Sequence, residues 1–242
     1  MTVLVVGATG KTGRLVVEQL LRRNYEVRVI VRSPDSLLSR VLENPNTTVI
    51  EASILDLTDD EMADHVKDTE AVVSCLGHVI NFKGIFGSPR QLCTDATRRL
   101  CEAIERNDPP GPTKFILMNT VGVGNPDPGE KRSLIERGLL AIYRWTLPPA
   151  KDNETAAKYL YEVVGRDNKH IEWCSVRPDS LIDAEVSPYD ILESPATSIF
   201  SGQPTTRSNV AEFMAELIES AELWSRWKFR MPVIVNSRSP GE

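Results

Sequence analysis

Gly7, Gly10 and Gly13 stand three apart in VVGATGKTGR, residues 5–14, and two different phosphate-binding machines begin this way. Gly10-Lys11-Thr12 could end a Walker A loop, whereas the glycine triplet could form a dinucleotide-binding turn. Spacing decides between them. A Walker A loop needs a glycine five positions before the glycine of its GKT, and that position is Val5, inside an apolar run. The triplet instead follows a strand-like run and opens an amphipathic segment, which is the context a dinucleotide turn requires. Gly7 would allow the tight turn, Gly10 would let backbone approach a pyrophosphate, and Gly13 would let the new helix pack closely on the strand. Thr9, Lys11 and Thr12 share the turn and join the candidate cofactor set.

Such a turn works only where a sheet presents it. Strand-like apolar runs occur at residues 3–6, 26–31, 47–51, 71–75, 114–118 and 171–176. Between them, apolar residues recur three and four apart, most clearly over 15–23, 91–106 and 154–164. Short, nearly all-apolar strands alternating with helices predict a parallel sheet covered on both faces. The expected fold is a Rossmann-like, doubly wound α/β domain spanning residues 1–242 with strand order 3-2-1-4-5-6. Segments 121–150, with a short helical stretch around 134–145, and 179–207 lie beyond strand carboxyl ends and should form the substrate wall.

Composition narrows the partners. The 242 residues carry a formal charge of −6 from 34 acids and 28 bases, with no long run of one sign. This excludes a nucleic-acid or anionic-membrane face. No stretch has the uncharged length of a membrane span, and the amino terminus lacks a signal-type segment, so the expected location is cytoplasmic. Cys75, Cys93, Cys101 and Cys174 form no CxxC pair, and His65, His78 and His170 are scattered, so no metal is expected and the thiols read as buried and free. The apolar run 223–235, with Trp224, Trp227 and Phe229, reads either as core and a late strand or as a subunit contact, leaving monomer and homodimer open.

Several motifs then fall into one pattern: GATGKTGR, the strand ending VRSP, LDL after the third strand, VSCLG in the fourth, NTVGVG after the fifth and SVRPDSL after the sixth. Together they resemble the short-chain dehydrogenase/reductase superfamily, in its atypical NAD(P)H-binding branch. That branch includes NmrA-like regulators and biliverdin reductase B-like flavin reductases. Residues 205–218 are similar to the helix that commonly follows in it. The resemblance implies that Asp56-Leu57 contacts the adenine edge, although a helix-capping or turn aspartate reads equally well there. It also implies that Leu76 and Gly77 lie beside the nicotinamide ribose and that Pro178 belongs to the cofactor site.

The second strand bears on which dinucleotide. NAD binders place an acid near its end for the ribose hydroxyls, but this one runs Val29-Ile30-Val31-Arg32-Ser33. A guanidinium fork and a hydroxyl suit the 2′-phosphate of NADP, so NADP(H) is expected over NAD(H). Lys11 and Arg14 could add positive potential there or be simply exposed.

Catalysis departs from the family pattern. The resemblance places Lys151 at the lysine that holds the nicotinamide ribose, but four residues earlier stands Leu147, where the proton-transferring tyrosine belongs. Tyr143, Tyr159 and Tyr161 lie off that spacing. Thr120, preceded by Asn119, occupies about the place of the family's serine and could bind a substrate carbonyl or tie down its loop. A positioned general acid contributes roughly 10²–10⁴-fold, so its absence disfavours ketone reduction and nucleotide-sugar epimerisation. Flavins and quinones accept hydride and take their proton from solvent. The expected activity is therefore NADPH-dependent reduction of a flavin, quinone or similar conjugated acceptor. The alternative is a non-catalytic NADP(H) sensor or assembly factor that reads cofactor state to a protein partner through 121–150 and 179–207.

Overall fold

A computed structural model describes residues 1–78, 89–126, 138, 147–195 and 202–237. The first half alternates as its apolar periodicity predicts: β1 Thr2–Val6, α1 Gly13–Arg22, β2 Glu26–Val31, α2 Ser39–Leu42, β3 Thr47–Glu51, α3 Asp59–Val66 and β4 Ala71–Ser74. Then come α4 Leu92–Arg106, β5 Thr113–Met118, α5 Pro148–Tyr159 and β6 Ile171–Pro178. The chain continues through β7 Ser180–Ile182, β8 Tyr189–Leu192, β9 Pro204–Thr206, α6 Arg207–Glu219, α7 Ala221–Trp227 and β10 Val233–Asn236.

The main sheet runs β3-β2-β1-β4-β5-β6-β10-β8. Its first six strands take the expected order, and all of their pairings are parallel. The sheet extends further than expected because β10 adds in parallel to β6 and β8 pairs antiparallel with β10 at the edge. β7 and β9 form a separate parallel pair.

Both faces are covered, and alternation along each strand supplies both. Val3 and Val5 of β1 enter one apolar cluster with Val16, Leu20, Val210, Phe213 and Trp224, so α1 and α6 cover that face. Leu4 and Val6 enter the other with Met62, Leu100, Ile104, Ala156 and Leu160 from α3, α4 and α5. Trp224 and Trp227 are buried and β10 lies in the sheet, so the run 223–235 serves as core and late strand. Cys93, Cys101 and Cys174 are buried and Cys75 is half-buried, all as free thiols.

Two boundaries differ from the sequence reading for local reasons. Helix α5 starts at Pro148 rather than Glu154, because proline is accommodated in a first turn where its missing N–H costs nothing. This puts Lys151 on the helix. Its far end widens into a π turn over Leu160–Val164, closed by Gly165 at φ 69°. Of the segment 121–150, residues 127–137 and 139–146 lie outside the described residues, as do 196–201 of the segment 179–207. The helical stretch expected around 134–145, and Tyr143 within it, therefore lie outside too. No helix among the described residues is long and apolar enough to cross a membrane.

Candidate functional site

The glycine turn sits at the carboxyl end of β1, beside the end of β4, where successive connections leave the sheet in opposite directions. Open α/β sheets bind ligands in that crevice. Gly7 has φ +78°, and a Cβ there would lie 2.5 Å from the Cys75 carbonyl. A Cβ on Gly13 would lie 2.1 Å from the Gly7 carbonyl oxygen. These two glycines are required by close backbone approach, one against the β4 loop and one where helix meets turn. Gly10 differs: it is exposed, its N–H donates to Gly7 O at 3.0 Å, and a Cβ on it would meet only that oxygen, at 3.2 Å. The protein leaves space over Gly10 for something else.

The surroundings fit an anionic ligand. The first turn of α1 contains no acid, and an N-terminal helix turn carries partial positive charge on its amides. Thr12 is the buried N-cap position, while Thr9, Lys11 and Arg14 are exposed. Lys11 Nζ lies 2.9 Å from Asp183, whose other oxygen accepts from Arg207 at 2.5 Å. These bonds hold the Asp183 carboxyl below the usual carboxylate range. They also bring the segment after β7 against the glycine turn.

At the end of β2, Arg32 is exposed and Ser33 half-buried, with Ser33 leading into a short 3₁₀ turn at Pro34–Ser36. Asp56 is exposed in the turn after β3, its N–H donating to Ser53 O at 2.9 Å. It does not cap α3. Thr58 does, in a reciprocal capping box with Glu61 that depresses the Glu61 pKa through the Thr58 backbone and side-chain bonds. Leu57 is half-buried, and its carbonyl accepts from Arg99.

Beyond β4, Leu76 is half-buried and Gly77 exposed, with open space where a Gly77 Cβ would stand. Lys151 is exposed on the first turn of α5, and Leu147 is that helix's N-cap residue. Asn119 is buried and engaged at both ends of its carboxamide. Its Nδ2 donates to Asn153 O at 3.0 Å, and its Oδ1 accepts from Thr120 N at 2.9 Å. Asn119 thus ties the end of β5 to α5. The Thr120 hydroxyl accepts from Gly122 N at 3.3 Å, which leaves its proton able to donate elsewhere. Pro178 ends β6, and its carbonyl accepts from Val121 N at 3.1 Å.

The two tyrosines within the described residues that could have replaced the missing acid are committed to packing. Tyr159 and Tyr161 pack against the apolar cluster beneath α4 and α5, and Tyr161 meets Trp173 edge-on at 6.4 Å between centroids. Burial raises the Tyr159 pKa.

A cluster absent from the sequence reading lies next to Lys151. The Asp152 side chain is fully buried and accepts from Cys93 N at 2.8 Å, Thr94 N at 2.9 Å and Thr94 Oγ1 at 2.6 Å. It therefore caps the amino terminus of α4 from a different helix. His78 Nε2 completes the set at 2.7 Å from Asp152 Oδ2. The Cys93 thiol, its pKa pushed up by burial and then by Asp152, donates to Leu76 O at 3.4 Å. The scattered histidines therefore hid a convergence: ligand atoms of His78, Cys93 and Asp152 all lie within 4.8 Å of one another. The contacts are those of a hydrogen-bond network. Amide and hydroxyl donors occupy the carboxylate, the thiol holds its proton, and a helix amino terminus disfavours a cation. The only sequence signal was an aspartate beside the family lysine, 58 and 59 residues from its partners Thr94 and Cys93.

Residues 7–221 match the NAD(P)H-binding family, and the chain belongs to it. It is 30% identical over 221 residues to an uncharacterized chloroplastic protein of Arabidopsis thaliana, covering 91% of this chain and 72% of that one. In fold it is similar to a Streptococcus pneumoniae protein provisionally named an NADH-flavin reductase, at TM-score 0.69 and 19% identity, covering 98% of this chain and 100% of that one. It is also similar to a Veillonella parvula short-chain dehydrogenase/reductase solved with NADP, at TM-score 0.69 and 15% identity, covering 99% and 95%. The crevice built by Gly7, Gly10, Gly13 and the first turn of α1 fits the dinucleotide that the family binds.

Proposed function

We propose that the protein is an NADPH-dependent reductase acting on a flavin, a quinone or a similar conjugated acceptor. The observation that carries this reading is a dinucleotide crevice with Arg32 and Ser33 where an acid would select NAD, paired with Leu147 where the family's tyrosine belongs. Arg32 would grip the 2′-phosphate in a fork, with Ser33 beside it. The amides around Gly10 and the amino terminus of α1 would hold the pyrophosphate, with Lys11 near it. Asp56 and Leu57 would border the adenine, and Leu76, Gly77 and Pro178 the nicotinamide end. When bound, the dinucleotide supplies a hydride. Lys151 would hold the nicotinamide ribose, the Thr120 hydroxyl would orient an acceptor oxygen, and Asn119 would fix both by joining Thr120 to α5. Conjugated acceptors suit this site because they spread the incoming charge and depend less on a tyrosine acid. The fold neighbour named for NADH and flavin supports the acceptor class, though not the choice of NADPH.

The ion pair from Lys11 to Asp183 supports a second reading, in which cofactor occupancy is relayed to the segment 179–207 and a partner protein senses it without turnover. Oxidation of NADPH and NADH against flavin mononucleotide, a naphthoquinone and a simple ketone separates the two. A reductase consumes NADPH with the first two acceptors and little with the ketone. A sensor binds both cofactor states and consumes neither.

A further inference from the structure

We propose that Asp183 is an internal competitor for the dinucleotide pyrophosphate: its carboxylate holds Lys11 of the glycine turn, and Lys11 must leave it to reach the phosphates. The inference rests on the dinucleotide crevice, which the reductase and sensor readings share, and on the chemistry of neither.

Lys11 directly follows Gly10, the glycine over which the turn stays open. Its ammonium is committed elsewhere. Nζ lies 2.9 Å from Asp183 Oδ2, with the two side chains 63% and 59% exposed, and Asp183 is 172 residues away on the segment after β7. The other carboxylate oxygen accepts from Arg207 Nη1 at 2.5 Å, and this arginine side chain is only 19% exposed. Arg207 opens α6, and the residues after it bind the residues after Asp183 in step. Ser208 Oγ donates to Ala184 O at 2.7 Å, Asn209 Oδ1 accepts from Ser187 N at 2.9 Å, and Asn209 Nδ2 donates to Ser187 Oγ at 3.1 Å. Segment 183–187 is therefore fixed to the first turn of α6. Among the described residues no other hydrogen bond or ion pair joins it to the glycine turn, so its placement does not need Lys11.

A carboxylate in this place has two roles open to it, and charge separates them. As a clamp it would hold its segment against a bound dinucleotide, yet a carboxylate beside two phosphates repels them and loosens the complex that it closes. As a competitor it offers Lys11 an anionic oxygen in place of a phosphate's, in an exposed ion pair weak enough to exchange. Arg207 keeps Asp183 on α6 when Lys11 turns to the pyrophosphate, so the carboxylate stands ready when the cofactor leaves. Affinity is thereby set below what the glycine turn alone would give. The effect is the same for NADP and NAD, because both carry the pyrophosphate, and the choice between them stays with the end of β2.

The test uses the full chain and two measurements. Asp183→Asn keeps the size of the side chain and a carbonyl oxygen for Arg207 but removes the charge, and the Ser208 and Asn209 bonds still hold the segment. By calorimetry its affinity for NADP⁺ and for NAD⁺ should rise about 3- to 10-fold, by the same factor for both. Adenosine 2′-monophosphate, which has the 2′-phosphate and no pyrophosphate, should bind the variant and the wild type alike. Lys11→Gln should weaken NADP⁺ binding more in the Asp183→Asn background than alone, because only there is the ammonium wholly available. Independently, the carboxyl ¹³C resonance of Asp183 in the wild-type protein should move when NADP⁺ or ADP is added and stay in place with adenosine 2′-monophosphate. Unchanged or weaker NADP⁺ binding by Asp183→Asn, an equal gain for adenosine 2′-monophosphate, additive effects of the two substitutions, or a carboxyl resonance indifferent to NADP⁺ would overturn the proposal. If Asp183→Asn fails to fold, the resonance decides. A wild-type protein that binds no dinucleotide overturns the crevice and this inference together, whereas one that binds NADPH and never consumes it overturns the reductase reading alone.

Discussion

Asp152→Asn tests whether the buried carboxylate holds together the loop after β4 and the starts of α4 and α5. Replacing one oxygen by an amino group cannot be absorbed by rotating the amide. With the amino group at the Oδ2 position it faces Cys93 N–H, and at the Oδ1 position it faces Thr94 N–H. Either way a buried backbone N–H loses its acceptor, at about 1–3 kcal/mol. Losing the negative charge at the amino terminus of α4 adds roughly 0.3–1 kcal/mol, and up to about 2 kcal/mol for a partly buried site. The expected loss is about 2–4 kcal/mol, and a chain of this length shifts by roughly 2–4 °C per kcal/mol, so the melting temperature should fall by about 5–15 °C. Calorimetric and urea unfolding would measure it. A loss below about 0.5 kcal/mol, the size of an ordinary surface change, would refute the assignment of Asp152 as the cap of α4.

Three further variants test the cofactor crevice. Arg32→Ala removes charge-assisted hydrogen bonds of about 1.5–3 kcal/mol, so calorimetry should find NADPH binding weakened roughly 10- to 100-fold and NADH binding changed far less; equal losses would show that Arg32 does not read the 2′-phosphate. Gly10→Val should fold yet lose dinucleotide binding, because its branched side chain enters the space over the turn, whereas Gly13→Ala should damage the fold as well, since its Cβ would strike backbone at 2.1 Å.

The glycine turn was legible because its signals are local. Glycine spacing, a strand before and a helix after place the turn without knowledge of the rest of the chain, and six strands follow from apolar alternation. Other features were present locally but not used: Thr58-x-x-Glu61 is a capping-box pattern, and Pro148-Pro149 can start a helix that apolar periodicity dates later. The Asp152 cluster was not legible. It joins the loop after β4, the start of α4 and the start of α5, and nothing in a linear pattern reports which buried carboxylate will meet which helix end. β8 was missed for a related reason: a four-residue edge strand carries little periodicity of its own, whereas β10 falls at the end of the run 223–235 that reads as core and a late strand.

Whether this crevice moves hydride from NADPH or merely senses the cofactor decides between the two readings. A single-turnover experiment tests this most directly: protein in excess over NADPH, mixed with menadione or flavin mononucleotide, with cofactor oxidation followed against a protein-free control. Complete oxidation of bound NADPH is expected, faster than the control and faster than NADH under the same conditions. NADPH that binds and stays reduced with every acceptor would contradict it and leave the sensor reading in its place.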